Sequence, residues 1–159
     1  MGLKKRRFTH SIYVVKKYIN LTASNRSPKH FMEFTFKKIE RLCSKKAIDD
    51  LFANGKSKTQ FPFKLMYKTA EFESPFPIRA MFVVPKKKHK RANKRNDIKR
   101  RMREVYRLNK HALYVSLKTQ KIDLMFICLS NEELEYPVIE KSMLQLMETL
   151  SKINFQEIK

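Results

Sequence analysis

Asn96, Lys99, Arg100, Arg103 and Arg107 gather on one side of any helix drawn through residues 94–117, while Ile98, Met102, Val105 and Asn109 gather on the other. The segment holds no Gly or Pro and is rich in good helix formers, so a helix is the expected conformation. Guanidinium groups fixed one helical turn apart can meet successive phosphates with bidentate geometry at little ordering cost. If about five such contacts form, counterion release predicts a log-log salt slope near minus four. Acids that would neutralise the stripe internally are nearly missing. The exceptions are Glu104 and Asp97, the latter placed to pair with Arg101 at i, i+4.

Other chemistries find little support. His10, His30, His89 and His111 are scattered, the acids form no paired site, and Gly2 and Gly55 are the only glycines, too few for a phosphate-cradling loop. Cys43 and Cys128 lack metal-ligand or C-x-x-C spacing and are expected to be buried or half-buried thiols of a cytoplasmic protein. No apolar run approaches the roughly 20 residues of a membrane helix. Binding rather than catalysis is the expected work of the chain. Phe52, Phe63, Tyr67 and Phe82 are the aromatics that could offer stacking platforms to unpaired bases, each with core packing as the alternative.

The charge is concentrated. Of a net +21, the stretch from Lys86 to Arg107 carries +10 (twelve Lys or Arg against Asp97 and Glu104), and residues 1–32 carry +8 with no acid. A polyanion is the natural neutraliser of such a field. Residues 1–33 mix basic pairs with Ser, Asn and Pro and are expected to form an arm outside the main core. Three readings of it stay open: an RNA-contacting tail, a transit-peptide-like segment, or residues preceding a true start at Met32.

Residues 34–159 suffice for one domain with a single core. Ser44 is placed to cap a helix whose Ala47, Ile48, Leu51 and Phe52 form a stripe and which Asn54-Gly55 ends. Alternation in 61–69 puts Phe61, Phe63, Leu65 and Tyr67 on one strand face, with Lys64 and Lys68 facing out. A second strand is expected over 78–84, closed by Pro85, and a third, apolar on both faces, over 122–129. Pro137 opens a last helix bearing Ile139, Met143, Leu146, Met147 and Leu150. The order implies an α+β domain, a two-layer α-β sandwich of a small mixed sheet with helices packed on it.

The run PKKKHKRANKRNDIKRRMREVYRL resembles the signature of the bacterial ribonuclease P protein family: a basic K-K element, a short spacer with Ala, then R-N-R-x-K-R-x-x-R-E on a helix. Lys86, Lys87, Ala92, Arg95, Asn96, Lys99, Arg100, Arg103 and Glu104 occupy those positions, and RLCSKKAIDDLFANGKS resembles the family's first helix and glycine turn. The likeness spans roughly residues 36 to 150. Asp97 departs from it, standing where the family has the second Arg of the R-N-R triplet.

The resemblance implies a left-handed β-α-β crossover, the opposite of the general rule. It also implies that the basic run, with Lys86, Lys87, Lys90, Arg91, Arg95, Asn96, Lys99, Arg100, Arg103 and Arg107, binds a catalytic RNA. A cleft between the first helix and the sheet, with Phe52 and Tyr67 facing it, would receive the single-stranded 5′ leader of precursor tRNA; Phe63 and Phe82 are left to the core. Endonucleolytic chemistry would then belong to the RNA and its Mg²⁺, with no metal bound tightly by the protein and no membrane or small-molecule substrate as partner. Rival readings are a ribosomal protein, a nonspecific RNA chaperone, or a protein-only nuclease, which would need clustered acids to hold metal.

Overall fold

Alternation along three strands builds the centre of the domain. In the computed structural model, which describes residues 34–117 and 120–153, the four-stranded sheet runs in the order β1 (Lys56–Gln60), β2 (Phe63–Thr69), β4 (Ile122–Cys128), β3 (Ile78–Val83). β1 and β2 form an antiparallel hairpin, β2 and β4 are antiparallel with Leu65 opposite Phe126, and β3 and β4 are parallel with Ala80 opposite Leu124. The sheet is therefore mixed, as expected of an α+β domain. The arm expected over residues 1–33 lies outside the described residues.

Phe63, Leu65 and Tyr67 of β2, Leu124, Phe126 and Cys128 of β4, and Ile78, Ala80 and Phe82 of β3 share one face. Onto it pack α2 (Ala92–Leu117) through Met102, Val105 and Tyr106, and α3 (Tyr136–Ser151) through Ile139, Met143 and Leu146. α2 sits toward β3 and α3 toward β1 and β2, while β3, α2 and β4 form the β-α-β crossover between parallel neighbours. The opposite face carries a smaller cluster, Met66 and Met125 with Leu42 and Leu51, under α1 (Lys45–Asn54). Phe82 stacks on Phe126 at 5.6 Å and both are buried, in keeping with the core role expected of Phe82 and Phe63.

Local signals account for α1. The Ser44 hydroxyl accepts from the Ala47 amide at 3.5 Å, and Gly55 closes the helix by donating its amide to the Leu51 carbonyl. Gly55 keeps an ordinary φ of −77°, so its need is space: a Cβ there would sit 2.2 Å from the Leu51 carbonyl oxygen.

Several expectations are corrected. β1 is an additional strand, unmarked by periodicity because KSKTQ is polar throughout and exposed along its whole length. Phe61 lies in the β1–β2 turn, 69% exposed, and not on the strand. Lys68 does not simply face solvent but reaches Asp50 of α1 at 2.5 Å. Cys43 is exposed, whereas Cys128 is buried.

The segment preceding α1 packs beside β3. Arg41 bridges to Ala80, and the Leu42 amide donates to the Ala80 carbonyl at 3.1 Å, so the β3 edge is covered at Ala80 by the stretch that follows a 3-10 turn at Lys38–Glu40.

Candidate nucleic-acid interface

α2 is 26 residues long, about 39 Å at the usual rise. Its first turn holds no acid. Of the two cations there, Lys94 is paired with Glu133 and Arg95 is turned to loop carbonyls, which offsets their unfavourable place at the positive end of the helix dipole. The buried side of the helix is Ile98, Met102, Val105, Tyr106, Leu113 and Leu117, as the apolar stripe implies.

The basic-run residues expected to act together separate into two groups. Lys86, Lys87, Lys90, Arg91, Asn96, Arg100 and Arg103 are exposed, and Lys99 is half-buried. Arg103 and Lys99 have no acid within ion-pair distance among the described residues. Arg95 and Arg107 are drawn into the fold. Arg95 Nη1 donates to the carbonyls of His89 at 3.0 Å and Lys90 at 2.7 Å, so it fixes the loop that carries Lys86, Lys87, Lys90 and Arg91 beside the helix start. Arg107 is bound by Glu104 at 2.5 Å and also donates to the Phe34 carbonyl.

Asp97 holds two arginines at once, Arg100 at 2.8 Å and Arg101 at 2.6 Å, and Arg101 donates further to the Leu134 carbonyl at 2.9 Å. The hydrogen bond from Arg100, with the charge of Arg101, keeps the Asp97 carboxyl below the usual range. Glu104 is likewise lowered, chiefly by its bond from Arg107.

Beyond Arg107 the cationic side of α2 changes character. Lys110, seven residues after Arg103, is 1% exposed; its ammonium bonds Glu40 and the Thr35 carbonyl, and the Tyr114 hydroxyl donates to the same carboxylate at 2.8 Å. Burial lowers the Lys110 pKa, against the pull of Glu40, and burial raises those of Tyr106 and Tyr114. Sequence reasoning missed this network. The only trace of it was an isolated Glu40 within a strongly basic stretch.

On the α1 face, Phe52 is 54% exposed. Tyr67 is not available. It is 4% exposed within the core on the α2–α3 face, because it shares the alternation of Phe63 and Leu65; no base could stack on it. The β2 residues on the α1 face are the intervening Lys64, Met66 and Lys68, joined by the partly buried Met81, Val83 and Ile127 of the neighbouring strands. Among the described residues no three His, Cys, Asp or Glu side chains converge on a metal position, and no helix is long and apolar enough to cross a membrane. The geometry suits polyanion binding.

Comparison with known proteins follows the same lines. The profile of the family Ribonuclease P matches residues 36–151. Ribonuclease P protein components from two strains of Porphyromonas gingivalis are 33% and 35% identical to the chain over 112 and 113 residues, 69% of this chain and 82% of each relative. The RNase P protein of Staphylococcus aureus superposes with a TM-score of 0.57 at 20% identity, covering 72% of this chain and 96% of that one. That of Thermotoga maritima gives 0.56 at 25% identity, covering 72% and 97%. The motif, the mixed sheet with its crossover helix, and these matches converge: the chain belongs to the ribonuclease P protein component family.

Proposed function

We propose that the chain is the RNA-binding protein subunit of a ribonuclease P that matures tRNA 5′ ends in the cytoplasm. The observation that carries this reading is the exposed, weakly compensated cationic surface made by the 86–91 loop and the first half of α2, in a chain of this family. Lys86, Lys87, Lys90, Arg91, Lys99, Arg100 and Arg103 would bind phosphates of the RNA subunit, with Asn96 beside them. Arg95 and Arg107 act as positioning residues, one ordering the basic loop and the other ending the exposed stripe. The protein would lower repulsion between two polyanions.

The 5′ leader of precursor tRNA would cross the α1 face, stacking on Phe52 and passing Lys64. Mg²⁺ would be held by the RNA, where it supplies charge stabilisation for phosphodiester hydrolysis. The described protein residues offer no carboxylate cluster for it, so no chemical step is assigned to a side chain.

Reconstitution tests the reading. Precursor tRNA should be cleaved at low Mg²⁺ only when the protein and its cognate RNA subunit are combined; cleavage by the protein alone would overturn the assignment. In the same assay Phe52→Ala should weaken binding of leader-bearing substrate about tenfold while leaving mature tRNA unaffected. Equal losses on both ligands would remove the leader from the α1 face.

A further inference from the structure

Phe61 is the most exposed large hydrophobic side chain among the described residues, at 69%, and it lies on neither the basic loop and α2 surface nor the α1 face. It stands in the β1–β2 turn at the sheet edge under α3, away from the side where α2 lies against β3. Its position is built. The Ser142 hydroxyl of α3 donates to the Phe61 carbonyl at 3.2 Å, tying the turn to the helix while the ring stays outside.

Between turn and helix runs a groove of about 450 Å³, large enough for a nucleotide. It is lined by Phe61, Pro137 and the 45% exposed Val138 together with Gln60, Lys141, Ser142 and Gln145. Lys58 lies on the adjoining exposed strand. Neither Lys58 nor Lys141 has an acid within ion-pair distance among the described residues, and the nearby Glu148 is engaged by Lys152 at 2.8 Å. The surface therefore combines an aromatic plate, amides able to meet base edges, and cations available to phosphate. That combination fits one unpaired nucleotide better than an apolar peptide, which would leave the amides and ammonium groups unmatched.

We infer that the Phe61 groove binds a single unpaired nucleotide of the RNA subunit, the base stacked on Phe61 and its flanking phosphates on Lys58 and Lys141. The RNA subunit is favoured over the leader because the groove opens in the α2–α3 layer, whereas the leader is assigned to the α1 face. This assignment rests on the proposed RNA partnership and adds a second contact to it at the far edge of the sheet.

The chain has no Trp, so Phe61→Trp places a single reporter in the groove. Titrating this variant with the RNA subunit should quench its indole fluorescence saturably, at the concentration where filter binding shows the complex form. Phe61→Ala, at an exposed position, should keep the wild-type Tm and weaken RNA-subunit affinity about tenfold without altering the salt slope. Lys58→Ala and Lys141→Ala should each lower that slope by about 0.7. Unchanged emission from the Phe61→Trp variant while the RNA binds with α2-dependent affinity would reject the groove and leave the subunit role intact. Quenching by precursor tRNA but not by the RNA subunit would reject the chosen source. If no RNA binds under any condition, both readings fall.

Discussion

The two halves of α2 carry the same residue types to opposite ends. In the first half, Arg103 projects from the helix exposed and without a carboxylate partner among the described residues; one heptad later on the same side, Lys110 is sealed against Glu40 and Tyr114. Helical periodicity assigns both to one cationic stripe. What separates them is the Phe34–Glu40 stretch, which reaches the helix from about seventy residues earlier and covers its side from Arg107 onward. The same charge is an invitation to phosphate where water reaches it and a structural bond where a carboxylate replaces water. The length of the exposed cationic stripe is set by where the cover begins.

The sharpest way to break this contrast is to remove one partner of the buried pair. Lys110→Ala or Glu40→Ala leaves an uncompensated charge in the core and should cost about 3–5 kcal/mol in denaturant unfolding, whereas Arg103→Ala should change stability by no more than about 0.5 kcal/mol. Near-equal losses would mean that the two halves of the helix do not differ as described. In RNA binding the order should invert. Arg100→Ala and Arg103→Ala should each weaken association with the RNA subunit about tenfold and flatten the salt slope by nearly one, and filter binding over a salt series measures both. An unaltered slope would remove this half of α2 from the interface.

The smallest effect sharpens the boundary. Asp97 puts a negative charge among the exposed arginines, so Asp97→Asn should tighten RNA binding by about two- to fivefold while the helix loses about 0.5 kcal/mol of pairing. The Asp97 pKa lies below its ordinary value in the folded chain, so its stabilising contribution is present above the unfolded carboxylate range and fades as pH falls through the folded pKa. The Tm difference between wild type and Asp97→Asn should accordingly shrink below about pH 4.

Much of this molecule is legible from periodicity and local chemistry, and the failures have physical causes. Ser44, Gly55 and Pro137 mark helix ends because caps and ring constraints act within a few residues. The alternation of Phe63, Leu65 and Tyr67 correctly groups them on one face, but alternation cannot say which helix that face meets, and so the cleft expected to hold Tyr67 lies on the other side of the sheet. β1 leaves no pattern because an edge strand exposed along its length has no core face to write one. Lys110 is opaque for the converse reason: its burial depends on a partner no local window contains. The Asp97–Arg101 pair is visible because both members lie on one helical turn.

The span between Glu40 and Lys110 also orders events in time. As the chain leaves the ribosome, the carboxylate emerges first and its ammonium follows seventy residues later, by which point β1, β2, β3 and much of α2 have been made. Closing so long a loop comes at an entropic cost that other contacts of the fold must offset, and β4, the strand that joins β2 to β3, is made only after Lys110. A chain halted before residue 110 would hold Glu40 with no ammonium to meet it, so this network fastens the Phe34–Glu40 cover only once the second half of α2 has been made.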